Sequence, residues 1–344
     1  MAHDFDPQWL PTMVGSTPHF DAGEAWSLVL TYLPEIPVWP QLPKRSHLEN
    51  IYMQFSERFP GIVQEGERVF VNRERDLNPT LERLYIAYLQ GNLDHGAIGP
   101  DYAAGLAHLL ADRVSFMQPL EAIKGQVTGP ITWGLTVADQ NRRPILYDEV
   151  LAEAVGHHLH LKAAWQEQEL RRFSPNTIIF VDEPYMSSFG SAFVAISREQ
   201  VISLLEQVFA GISGLKGVHC CGNTDWSILL STSVDILNVD AYGYAQSLAL
   251  YAEDVKAFLE RGGIIAWGIV PAGPQAATET VESLVARLND AMDLLIAKGV
   301  PREALLRAGM ITPSDGMATL SPDLAERVLY LTAGVSFAMR RRYI

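Results

Sequence analysis

The stretch NTIIFVDEP, residues 176–184, is an apolar run of strand length that ends in two carboxylates and a proline. Thr177 to Val181 show none of the polar alternation of a strand with one wet face, so they predict a strand covered on both sides. A helix-length amphipathic segment stands before it at 148–172 and another after it at 198–212. The same unit then recurs. Strands are predicted at 125–133, 216–223, 234–243, 262–271 and 306–316, with further helices at 252–261, 276–299 and 321–336 and N-cap candidates at Ser197 and Ser321. Alternation of this kind means a parallel sheet shielded by helices, as an open doubly wound sheet or a (β/α)8 barrel. No G-x-G-x-x-G motif follows an early strand, and nearly every predicted strand ends in polar residues, as when a ring of strand ends converges on one mouth. The expectation is an α/β fold, a (β/α)8 TIM barrel with N-terminal excursions, forming a single domain over 1–344. Residues 11–21, PTMVGSTPHFD, read as a first strand and its exit loop, and 67–74, ERVFVNRE, as part of a hairpin-like excursion.

Composition narrows the partners. The 344 residues are 48% hydrophobic and 19% charged, with no repeat or low-complexity tract. Lys and Arg number 26 against 40 Asp and Glu, a net charge of −14, which argues against nucleic acid and against an anionic membrane surface. No basic, apolar leader opens the chain, and nowhere do 18 apolar residues run together, so a cytoplasmic location is expected. The two cysteines, Cys220 and Cys221, are adjacent and have no third thiol to pair with, which excludes a disulfide framework.

The strand-end polar residues in chain order are Gly15 and Ser16, Thr128 to Pro130, Asp182 and Glu183, His219 with Cys221, Asp240, and Asp315. His219 and Cys221, at i and i+2, fall on the same side of an extended chain, an arrangement suited to a tetrahedral zinc, and Cys220 faces the other way. Spacing alone equally allows a core histidine beside two small hydrophobic thiols. Asp240 and Asp315 could complete a metal shell, or serve as turn and N-cap residues. Asp182 and Glu183 are costly at the end of so apolar a strand unless solvated, paired or set against a cation such as a substrate amine. Gly15 and Ser16 offer backbone N–H groups and a hydroxyl to a carboxylate. His157, His158 and His160 lack a tidy ligand spacing and are expected at the surface.

Taken together, VGSTP (14–18), TGPIT (128–132), VDEP (181–184), HCC (219–221), DILNVD (235–240) and ITPSDG (311–316) resemble the catalytic barrel of cobalamin-independent methionine synthase. More distantly they are similar to methylcobalamin:thiol methyltransferases and uroporphyrinogen decarboxylases. The resemblance runs in order over about residues 8 to 335. It implies zinc on His219, Cys221, Asp240 (where the family has glutamate) and Asp315 (where it has cysteine). It also implies that Gly15 and Ser16 hold a substrate carboxylate, and that the Asp182–Glu183 pair, Asp182 foremost, takes the substrate's ammonium as the catalytic carboxylates. The implied activity is zinc-dependent methyl transfer to a thiol, homocysteine first, giving methionine. The folate-dependent synthases carry a second barrel that this sequence does not show, so the expected donor is methylcobalamin, free or on a corrinoid protein. Other readings are a coenzyme M-type methyltransferase, a corrinoid- or metal-binding accessory protein, and a tetrapyrrole decarboxylase.

Overall fold

The computed structural model describes residues 5–191 and 194–344; residues 1–4, the start of the stretch searched for a leader, and 192–193 lie outside it. Its strands are β1 (Ile62–Glu65), β2 (Arg68–Val71), β3 (Ile123–Thr128), β4 (Ala138–Asp139), β5 (Thr177–Asp182), β6 (Leu215–Cys220), β7 (Ile236–Val239), β8 (Ile264–Val270) and β9 (Gly309–Pro313). The order β3-β5-β6-β7-β8-β9 makes one curled sheet, parallel at every pairing. All six are the strands expected from sequence, each trimmed at its polar end.

Two extended segments, too briefly paired to be regular strands, occupy the remaining positions of the barrel. Pro11 bridges in parallel to Ile311 of β9, Val38 to Lys124 of β3, and Ser16 to Gln41. Backbone bonds from Thr12 N–H to the Ile311 carbonyl, from Lys124 to Pro37 and from Gln41 to Gly15 complete the circuit. Pro11, Pro37 and Pro40 supply no N–H to a ladder, which is why these two staves pair at isolated points.

Period-2 alternation sorts the strands' side chains. Leu10, Ile36, Phe180, Ile236, Ala266 and Met310 pack inside the ring. Their neighbours, among them Ile179, Val218, Cys220 and Trp267, face the helices. Gly217 is opposite Phe180 on β6 because a Cβ there would lie 2.0 Å from the phenyl ring. Toward the carboxyl ends of the strands the inward positions turn polar, and Asp182, His219, Asn238 and Thr312 are all buried.

The helices Glu149–Leu170, Arg198–Phe209, Ala252–Glu260, Val281–Ile296 and Pro322–Tyr343 lie where expected, and Ser197 and Ser321 cap theirs through Oγ. Residues 67–74 do contribute to an antiparallel hairpin, β1 with β2, which a parallel bridge to β4 extends. The segment 125–133 divides at Gly129: Pro130–Thr136 is a helix, with proline at its start where the missing N–H costs nothing. No helix among the described residues is long and apolar enough to cross a membrane. The surface position expected for His157 and His158 is corrected. His157 is wedged against Tyr85 and Tyr88, and His158 is fully buried, its Nε2 2.6 Å from the Phe55 carbonyl and its ring stacked on Trp133.

Candidate metal centre

Strand alternation brings His219 inward at the end of β6 and sends Cys220 out into the helix layer, where burial pushes its thiol up to about 12. Cys221, one residue past the strand, turns back to the same side as His219. Asp315 arrives from the loop after β9. A His219 ring nitrogen, Cys221 Sγ and an Asp315 carboxylate oxygen all lie within 4.8 Å of one another. His219 Nε2 is buried without a hydrogen-bond partner and faces Asp315 Oδ1 at 3.6 Å. Imidazole, thiol and carboxylate converging on one point, with an unpartnered ring nitrogen among them, suit a zinc-sized cation.

The electrostatics agree. Burial alone would lower the His219 pKa, but the facing Asp315 and Cys221 side chains and the charge of Asp182 raise it to about 10. Desolvation opposes ionisation of Asp315, yet His219 outweighs it and holds that carboxyl below its usual range. In a cation's absence the imidazolium proton therefore balances these acids, and a metal would displace it.

This cluster forms one wall of a cavity of about 330 Å³ that is also lined by Ser16, Gln41, Glu49, Tyr52 and Asp182. Asp182 is buried, and its Oδ1 has no partner. Burial raises its pKa to about 6, against the lowering pull of His219 and Lys124. Ser16 stands beside Gly316, where a Cβ would meet its Oγ at 2.3 Å. Gly15 sits behind the cavity wall, tight against Gln41 and Gln126, where a Cβ would come within 2.7 Å of Gln41 Oε1.

Two expectations change. Glu183 does not reach the cavity: Ile131 N–H donates to one oxygen at 2.8 Å, while Thr132 N–H and Oγ1–H donate to the other at 2.7 and 2.6 Å. It clamps the Pro130–Thr136 helix to β5, so its expected catalytic role gives way to a structural one. Asp240 is outside the three-residue cluster, with Oδ1 accepting from Gly243 N–H at 2.7 Å to cap the helix Ala241–Leu248. Sequence reading passed over Gln41, Glu49 and Tyr52, which belong to a loop segment without periodicity, and Asn238, an inward polar residue inside an apolar strand.

The fold and this cluster define a (β/α)8 barrel whose mouth gathers nitrogen, sulfur and oxygen ligands over an acid-lined cavity. Among solved structures, a B12-independent methionine synthase from Shewanella sp. W3-18-1, in complex with selenomethionine, has TM-score 0.54 at 17% identity, over 98% of this chain and 96% of that one. A methyltransferase from Methanosarcina mazei has TM-score 0.61 at 15% identity, over 99% and 95%. Identities this low establish a shared fold. No family model matches the chain, and no curated protein matches it.

Proposed function

We propose that this chain is a zinc-dependent S-methyltransferase acting on a small thiol that carries an amino group, homocysteine being the leading candidate. The observation that carries the reading is the convergence of His219, Cys221 and Asp315 at the wall of a cavity that also holds the unpartnered Asp182 carboxylate. The two fold relatives, a methionine synthase and a methyltransferase, support it. When bound there, zinc supplies a thiolate nucleophile at neutral pH by lowering the pKa of a coordinated thiol from about 8.5.

The chain's own residues do the rest. His219, Cys221 and Asp315 hold the ion, Asp182 receives the substrate ammonium, and Ser16 with its neighbouring backbone takes the carboxylate. Alignment of sulfur with the methyl carbon is then a matter of positioning. The acids Glu49, Asp182 and Asp315 line the cavity and, among the described residues, no Lys or Arg does, which disfavours the sulfonate of coenzyme M and a polycarboxylate tetrapyrrole.

Two methyl donors are to be tested, a methylcorrinoid and methyltetrahydrofolate. The Shewanella chain, whose length this one almost wholly covers, is a B12-independent synthase, so a one-barrel layout does not itself select a corrinoid. The experiment measures metal content per chain and S-methylated product by mass spectrometry, with homocysteine and each donor in turn. Stoichiometric zinc and methionine are expected. A chain that retains no zinc and methylates no thiol would overturn the reading.

A further inference from the structure

Asn238 lies on β7 directly beside His219 in the β6–β7 register, and its side chain, like that of His219, points into the barrel. Its Oδ1 is 2.7 Å from His219 Nδ1. Its Nδ2 donates to the Ala266 carbonyl at 2.8 Å and to Thr312 Oγ1 at 2.7 Å. The Ala266 carbonyl can only accept, so the amide atom facing it must be the NH2 group. That fixes the other end of the amide as oxygen, and oxygen can only accept in turn. The proton between Asn238 and His219 therefore belongs to Nδ1, in whatever state the ring is found.

The relay depends on what stands between β7 and β9. Asn238 pairs in register with Ala266, and Thr312 with Gly268. A methyl group and a hydrogen at these inward positions let the amide reach across β8 to Thr312. Asn238 and Thr312 are both fully buried, so water does not compete for these bonds.

We propose that Asn238, itself oriented by the Ala266 carbonyl and Thr312, is a positioning residue that locks a proton on His219 Nδ1 and so presents the Nε2 lone pair to Cys221 and Asp315. This deepens the zinc reading and rests on it, because a ring free to swap tautomers would offer its proton to the metal position part of the time. Acceptors that hold the far ring N–H of a metal-bound histidine orient the ring and are worth about 10–100-fold in metal affinity.

Two readouts test it separately from activity. The first is zinc affinity by chelator competition, with the absorption spectrum of the cobalt-loaded protein. Asn238→Leu, of similar volume without the acceptor, should bind zinc about 10–100-fold more weakly. Thr312→Val, which keeps the acceptor but removes one of the two groups that orient the amide, should fall between Asn238→Leu and the parent protein. The second readout is long-range proton–nitrogen NMR of the His219 ring in the zinc-free protein, assigned against His219→Gln. At a pH high enough to remove the imidazolium's second proton, the parent should keep the remaining one on Nδ1, and Asn238→Leu should lose that preference. Unchanged zinc affinity, cobalt spectrum and ring protonation in a folded Asn238→Leu protein would overturn the proposal. A parent protein that holds Nδ1–H yet binds no zinc would instead overturn the proposed function and leave the positioning role of Asn238 standing.

Discussion

At Asp315 the candidate metal cluster offers an oxygen where the resemblance implies a sulfur. Asp315→Cys exchanges a hard ligand for a soft one at the same charge, so zinc affinity should rise by about tenfold or more, while Asp315→Ala should lower it, both by chelator competition. Cys221→Ser should remove most metal binding. Cys220→Ser should leave it intact and cost about 1 kcal/mol of stability or less in urea unfolding, since that thiol is a small apolar group in the helix layer. Loss from Cys220→Ser with retention in Cys221→Ser would show that the thiols are assigned the wrong way round. The sequence distinguished these two neighbours because a strand's side chains alternate. It did not distinguish Asp240 from Asp315, since an aspartate after a strand looks the same whether it caps the next helix or faces the mouth; Asp240's bond from Gly243 N–H and Asp315's place in the cluster at the cavity wall separate them.

Glu183 raises the same difficulty between elements. The VDEP motif places two carboxylates at the end of β5, but only the three-dimensional approach of the Pro130–Thr136 helix shows that the second is consumed by Ile131 and Thr132. Glu183→Gln would oppose an amide N–H to at least one of these donors, with an expected loss of about 2–3 kcal/mol in urea unfolding, whereas Thr132→Val should lose about 1 kcal/mol. Zinc binding should survive in both if they fold. The helix Glu149–Leu170 hides a charge in a similar way. Lys162 is fully buried, its Nζ donates to the Ala97 carbonyl at 2.9 Å, and burial lowers its pKa to about 7. A folded pKa below the unfolded value of about 10.5 means that the unfolded chain binds the extra proton between these limits, so stability from this group rises as pH goes from about 7 to about 10. Lys162→Met should flatten that slope. Its stability relative to the parent should improve by roughly 2–4 kcal/mol on going from pH 10 to pH 7, and an unchanged difference would mean that Lys162 stays charged in the fold. Neither the helix period nor the composition marks Lys162 as buried, because tertiary packing against the segment carrying Ala97 decides it.

The six regular staves of the barrel are legible because each is a nearly continuous apolar run followed by a helix, whereas the staves at 9–17 and 36–41 are interrupted by proline and held at single bridges. The first was visible only as a possible strand and the second not at all. Yet their structural role is large. Leu10 and Ile36 belong to the interior packing of the ring, Lys124 Nζ donates to the Val14 carbonyl at 2.7 Å from within it, and Val14, Ser16 and Gln41 line the cavity. A chain starting at residue 18 would expose the outer edge of β9, strand the buried Lys124 ammonium and open the cavity wall. It is expected to lose cooperative thermal unfolding and near-ultraviolet circular dichroism, not merely some stability. The β1–β2 hairpin provides the control. It stands outside the ring and, among the described residues, its sheet continues only to β4, so replacing residues 62–71 by a short glycine-serine loop should lower the melting temperature while keeping one sharp transition and the proposed zinc binding. If the truncated chain instead melts cooperatively with zinc bound, six strands suffice for this barrel and the two proline-broken staves are only a rim around it.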